Sequence, residues 1–258
     1  MEAKALSDCG VIVLGGTAGV GFEAAARFAE EGARVAVIGR HSERGAIACA
    51  KLRERASGGL VQFIKADASL PDDAVRAAEE AHGLLGSIDV LMCTTGPSEP
   101  PRPLHNIRIE NIRLRLDEII LPPLHMMHAV LPVMRAQKGG SIITVASDAA
   151  KFATPGEALI GAAMAAIVMF SRTAALEAKR DGIRINLLTP SLIADTPGAS
   201  LIAADPFAGK MFEKAATLAH LGVADATDLA EVALFLAGPQ SRRITGQAIS
   251  VNGGISVG

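Results

Sequence analysis

Seven short apolar runs, at residues 11–14, 34–38, 61–65, 89–93, 141–146, 184–189 and 248–251, punctuate the chain, and longer stretches of helical periodicity fill the intervals. The runs are near-continuous rather than alternating; Val11-Ile12-Val13-Leu14 has no polar face at all. Strands of that kind belong in a parallel sheet covered by helices on both faces, and right-handed crossovers then give a doubly wound α/β architecture with seven strands. No repeat, low-complexity tract or Pro/Gly/Ser linker interrupts the pattern, which predicts one domain over residues 1–258. The most loop-like stretches, 96–103 and 191–209, both follow strands. Ligands of open α/β sheets sit outside the carboxyl ends of strands, so these stretches are expected to wall a site, the second as a lid.

Two helical stretches depart from the usual amphipathic pattern. Residues 157–179 are small or apolar on nearly every face, and residues 114–134 are similar, with Met126, Met127 and Met134 and a kink expected at Pro122-Pro123. A helix without a polar face has to be covered all round, which predicts an oligomer.

Composition narrows the partners. The 258 residues are half apolar, enough for a sizeable core, and 25 basic against 27 acidic residues leave a net charge of −2. That balance offers no footprint for nucleic acid or an anionic membrane. Cys9, Cys49 and Cys93 lie far apart without metal-ligand spacing, so neither a disulfide framework nor a metal site is expected, and a reducing cytoplasm fits. No export signal or membrane span is read from the sequence.

The first strand runs into Leu14-Gly15-Gly16-Thr17-Ala18-Gly19-Val20-Gly21, which opens an Ala-rich helix. Glycines there let the backbone turn tightly and approach a pyrophosphate, whose charge the free N–H groups of the helix N-terminus stabilise. At the end of the second strand Gly39-Arg40 stands where an acidic residue would bind the ribose hydroxyls of NAD. Room and positive charge favour the 2′-phosphate of NADP(H) over NAD(H); the plainer reading is a solvated surface arginine.

These residues resemble the short-chain dehydrogenase/reductase family in order and spacing over nearly the whole chain, which implies a Rossmann-type fold. The turn is similar to its T-G-x-x-x-G-x-G pattern, with Leu14 in the Thr place, so Gly15, Thr17, Gly19, Val20 and Gly21 are implied as cofactor-binding residues. Asp67-Ala68 resembles its adenine-side pair, and Cys93-Thr94-Thr95-Gly96 falls at its N-N-A-G position. Ile183-Arg184-Ile185-Asn186 with Pro190 and Ser191 looks like its I-R-V-N…P-G segment; Ile193 and Thr196 fall where the family holds the nicotinamide carboxamide. Departures at Leu14, Cys93 and Ser191 put cofactor affinity in question, weakening or abolishing it, more than the site itself.

The family's chemistry needs a Ser, a Tyr thirteen residues later and a Lys four beyond that. Ser147 is in place, but Y-x-x-x-K reads Ile160-Gly161-Ala162-Ala163-Met164, and the sequence contains no Tyr anywhere. A further catalytic Asn is absent too, its place falling near Glu118 or Ile119. Proton transfer contributes about a hundred- to ten-thousand-fold to such a rate, so an ordinary dehydrogenase is not expected of this chain alone. Asp148, Lys151, Glu157, Glu118, His125 and His128 are the nearby polar side chains that a rearranged site would draw on. Exchange of a polar network for Ile and Met predicts a plugged cleft, since removing all partners together is nearly neutral for stability.

The reading is therefore an oxidoreductase-family chain, catalytically silent or impaired, pairing through residues 114–134 and 157–179 with itself or with an active paralogue. The alternatives are an NADP(H)-dependent reductase with Ser147 as oxygen ligand and another proton source, or a non-redox lyase or isomerase on the same scaffold.

Overall fold

The computed structural model describes residues 4–257. Its seven strands are β1 (Gly10–Leu14), β2 (Arg34–Gly39), β3 (Val61–Lys65), β4 (Val90–Cys93), β5 (Gly140–Val145), β6 (Ile183–Thr189) and β7 (Ala248–Ser250). They differ from the expected runs only at their ends. All pair in parallel in the order β3-β2-β1-β4-β5-β6-β7, with Val11 opposite Val35 and Val90 in neighbouring strands. The order reverses between β1 and β4, which makes the carboxyl ends of those two strands the switch point where a ligand crevice opens.

Helices cover both faces, as near-continuous apolar strands require. On one face Val11 and Val13 pack with α1 (Gly19–Glu30), α2 (Ser42–Arg55) and α8 (Ala226–Ala237). On the other, Ile12 and Leu14 pack with α3 (Pro71–Leu85), α4 (Ile112–Gln137) and the C-terminal half of α5 (Ala158–Ala178). Buried Asn186 explains the polar position in β6. Its amide donates to the Ile244 carbonyl at 3.0 Å and its Oδ1 accepts from Gln247 N–H at 3.1 Å, pinning the chain that leads into β7.

Three features of the fold bear on these expectations. Residues 191–209 are not a loop: they hold α6 (Pro197–Ala203) and the start of α7 (Pro206–Ala216). The side chains of Thr196 and Asp205 cap these helices, accepting from Ala199 N–H and from Phe207 and Ala208 N–H, with a proline at each first turn. Second, α5 is not covered on all sides within one chain. Ala163, Met164 and Ile167 are buried, whereas Met169 and Leu176 are 61% and 64% exposed. Third, Ile109–Gln137 and Ala158–Asp181 are long and apolar enough, by length and composition, to cross a membrane. Each instead lays one face on the sheet, the Met126, Met127 and Met134 side chains of α4 being fully buried there. Helix α4 runs through Pro122, Pro123 and Pro132 as a single element.

Candidate functional site

The carboxyl ends of β1, β4, β5 and β6 open into a cleft of about 340 Å³. Its floor is Gly19, Val20 and Gly21 at the start of α1, together with Thr94, Thr95 and Gly96 after β4 and Val145, Ala146 and Ser147 after β5. Both stretches singled out from the sequence form its walls: Pro97 to Pro101 on one side, and Pro190 to Ile193 with Thr196, Leu201 and Ile202 on the other. They are braced together at the turn before α5. Arg102 N–H donates to the Gly156 carbonyl at 2.8 Å, and Gly156, at φ +82°, lies so close to Phe207 of α7 that a Cβ would meet the ring at 2.5 Å.

The phosphate-cradling turn is built as the glycines dictate. Gly19 has φ +52°, and a Cβ on Gly21 would stand 2.4 Å from both the Gly15 carbonyl oxygen and Thr94 Oγ1, so only glycine lets α1 begin this close to the strands. The N-cap residue, Ala18, supplies no side-chain acceptor, which leaves the first N–H groups of α1 directed at the crevice. Thr94 is used internally, its hydroxyl donating to the Leu14 carbonyl at 2.8 Å. Thr95 Oγ1 is buried with no partner on the protein. An orphaned hydroxyl and an uncapped helix start in one crevice fit a polar, anionic ligand such as a dinucleotide.

The remaining implied cofactor residues lie around the same edge. Arg40 is exposed just past β2, and the adjacent Gly39 faces the Thr17 methyl. Asp67 follows β3 with one carboxylate oxygen accepting from Ser69 N–H and Oγ, and the buried Ala68 is beside it. Pro190, Ile193 and Thr196 line the far wall. The Pro190 carbonyl accepts from Asp148 N–H, and the Thr196 hydroxyl, besides capping α6, donates to the Ile193 carbonyl at 3.0 Å. Cys93 is no nucleophile: complete burial pushes its thiol up to about 12.

At the chemical end Ser147 is extended at the end of β5, its Oγ accepting from Ala149 N–H at 3.2 Å. Ile160 and Met164 line the cleft facing it. They form a wall and do not fill the space, so the expected plug is absent; Met164 lies against the sheet, and the cleft stays open beside it.

Of the polar side chains nominated from the sequence, only Glu157 joins them in the cleft. Burial pushes its carboxyl up to about 7; Asp148 adds to the rise and a hydrogen bond with Thr154 opposes it. Asp148 turns away to accept from Asn252 and from Ser256 Oγ. The Lys151 ammonium donates to Ser250 Oγ at 2.6 Å and stands 3.6 Å from Asp148. These side chains fasten the C-terminal segment to the turn after β5. Glu118 accepts from Ser98 in a neighbouring crevice, His125 contacts the Ala68 carbonyl, and His128 is exposed. Sequence reasoning missed Glu99, which lines the cleft and is ion-paired with Arg115; nothing in its spacing marked it.

The comparisons agree with this geometry. The family model described as enoyl-(acyl carrier protein) reductase matches residues 15–256. The oxidoreductase asL5 of Sarocladium schorii is 32% identical over 95% of this chain and 94% of its own length. Momilactone A synthase of Oryza sativa subsp. japonica is 30% identical over 99% and 93%. A short-chain type dehydrogenase/reductase from Mycobacterium ulcerans superposes with a TM-score of 0.89 at 26% identity, covering 96% of this chain and 90% of that one. With its parallel sheet, its glycine turn at the switch point and a match that spans almost its full length, the chain belongs to the short-chain dehydrogenase/reductase family of oxidoreductases, whose members bind a nicotinamide dinucleotide.

Proposed function

We propose that this chain binds NADP(H) in preference to NAD(H) and acts as a catalytically silent subunit beside an active short-chain dehydrogenase. The observation that carries the reading is the cleft wall facing Ser147: Ile160 and Met164 stand there, and neither side chain can give or take a proton. The outer face of α5, with Met169, Phe170 and Leu176 exposed among alanines, supports a partner, because an apolar stripe of this kind is stable in water when a second surface covers it.

In this reading the N–H groups of Gly19, Val20 and Gly21 hold the pyrophosphate, and Thr95 Oγ1 gains the partner it lacks. Arg40 and Thr17 face a 2′-phosphate, Asp67 and Ala68 flank the adenine, and Pro190, Ile193 and Thr196 flank the nicotinamide end. A bound dinucleotide would supply hydride chemistry. The chain itself orients the ligand and excludes water; Ser147 donates a hydrogen bond, and no lining group has replaced the tyrosine's hydroxyl and the lysine's charge at their own positions. Three buried, unpaired thiols fit a reducing compartment, the cytoplasm.

Co-expression with active short-chain dehydrogenases of the same genome, followed by measurement of complex mass and NADPH calorimetry, tests the proposal. A mixed complex that binds NADPH is expected. A homo-oligomer that ignores the dehydrogenase overturns the partner role. A second reading, an NADP(H)-dependent reductase with Ser147 as oxygen ligand, draws support from the open cleft; turnover of a ketone panel that is lost in Ser147→Ala would favour it.

A further inference from the structure

A second, smaller space adjoins the cleft and holds the cations that the cleft lacks. It is a crevice of about 20 Å³, room for one water molecule. Pro97, Glu99, Pro100, Pro101 and Ile160 line both spaces and form the partition between them. No lysine, arginine or histidine is among the residues lining the cleft, whereas Arg102 and Arg115 line the crevice.

Glu99 is the movable part of that partition. Residues 96–99 are exposed, and among the described residues they make no backbone-to-backbone hydrogen bond. A Cβ on Gly96 would meet nothing within 4 Å. Two side chains tie the segment to α4: Ser98 Oγ donates to Glu118 at 3.0 Å, and Glu99 accepts from Arg115. The Glu99 side chain is 47% exposed and that of Arg115 only 20%, so when the pair separates the carboxylate regains water and the guanidinium stays at the crevice. The charges lining the crevice are Arg102 and Arg115 against Glu99 and Glu118. Swinging Glu99 outward leaves one positive charge in excess and opens the partition toward the cleft.

We propose that Arg115 anchors the carboxylate of a ligand whose apolar body lies in the cleft, and that Glu99 is a placeholder which this carboxylate displaces. A carboxylate already sits on Arg115, and the planar guanidinium matches that group and no neutral one as well. Leu159 and Ile160 cover the first carbons beyond the anchor, and Leu192, Ile202 and Phe212 cover the rest. An alcohol of the same length would leave the Glu99 to Arg115 pair in place, and an amine would meet two arginines. The anchor forms no covalent bond and needs neither a partner chain nor a hydride step, so it stands apart from the silent-subunit reading.

Calorimetric titration of the full chain at pH 7 with hexanoate, 1-hexanol and hexylamine tests it. Hexanoate should bind most tightly of the three. Glu99→Gln removes the competing charge and should tighten hexanoate binding by about twofold to fivefold, the strength of an exposed ion pair, with hexanol unchanged. Arg115→Gln should weaken hexanoate binding at least about tenfold, and Arg115→Lys, which keeps the charge, should recover most of that loss. Three results would overturn the proposal: hexanoate bound no more tightly by Glu99→Gln than by the wild type, hexanoate bound as tightly by Arg115→Gln as by the wild type, or no hexanoate binding by Glu99→Gln chain whose circular dichroism shows it folded. Assembly with active short-chain dehydrogenases, measured by mass on the same variants, reports on the silent-subunit reading separately.

Discussion

In the proposed reading Ile160 and Met164 decide the chemistry of this chain by what they cannot do, and their positions are open to reversal. Because Ser147 is in place and the cleft is open, Ile160→Tyr combined with Met164→Lys should produce measurable NADPH-linked reduction across a ketone panel, with either single change inactive. NADPH calorimetry on the same variant separates failed chemistry from a damaged fold. Arg40 is tested by a different property. Arg40→Ala should weaken NADPH binding by about tenfold while leaving NADH affinity within twofold, because in the proposed reading the guanidinium's partner is the extra phosphate. The two residues were unequally legible. Ile160 follows from counting thirteen positions past Ser147, whereas the raised pKa of Glu157 depends on burial and on the neighbouring Asp148, which no spacing reveals.

At the scale of elements, α5 presents two unlike faces. Its inner face gives the cleft Ile160 and Met164 and the sheet Ala163 and Ile167; its outer face leaves Met169 and Leu176 exposed. Met169→Glu with Leu176→Glu should reduce the proposed assembly to monomers in sedimentation without unfolding them, since neither side chain is part of the chain's own core. The apolar run of 157–179 announced a covered helix, but not which side the chain itself would cover; the packing of β5 and β6 against α5 settles that. Helices α6 and α7 show the opposite case. Their caps, Thr196 with Pro197 and Asp205 with Pro206, are written in the sequence, yet their short lengths and interrupted apolar pattern read as a loop.

For the whole molecule, the Glu157 carboxyl couples folding to pH. Its folded value, about 7, lies above the ordinary 4.5, so the native state binds more protons than the unfolded chain between those values. Stability from this group therefore falls as pH rises from 4.5 to 7 and stays reduced above, by a loss on the order of 3 kcal/mol at most. Glu157→Gln should melt higher than the wild type at pH 8, with the gap narrowing toward pH 5, in parallel thermal denaturation curves. An unchanged gap would show that the carboxyl is solvated after all.

The sequence alone determined the parallel sheet, the glycine turn and the absence of tyrosine, because hydrophobic periodicity, glycine's backbone freedom and composition are local properties that survive without neighbours. The tertiary structure decided whether the cleft closed over its apolar substitutions, which of six polar candidates reached it and which face of α5 stayed bare. Those outcomes depend on what packs against each side chain across the sheet, through burial and long-range hydrogen bonds such as Asn252 to Asp148, and distance along the chain carries no record of them.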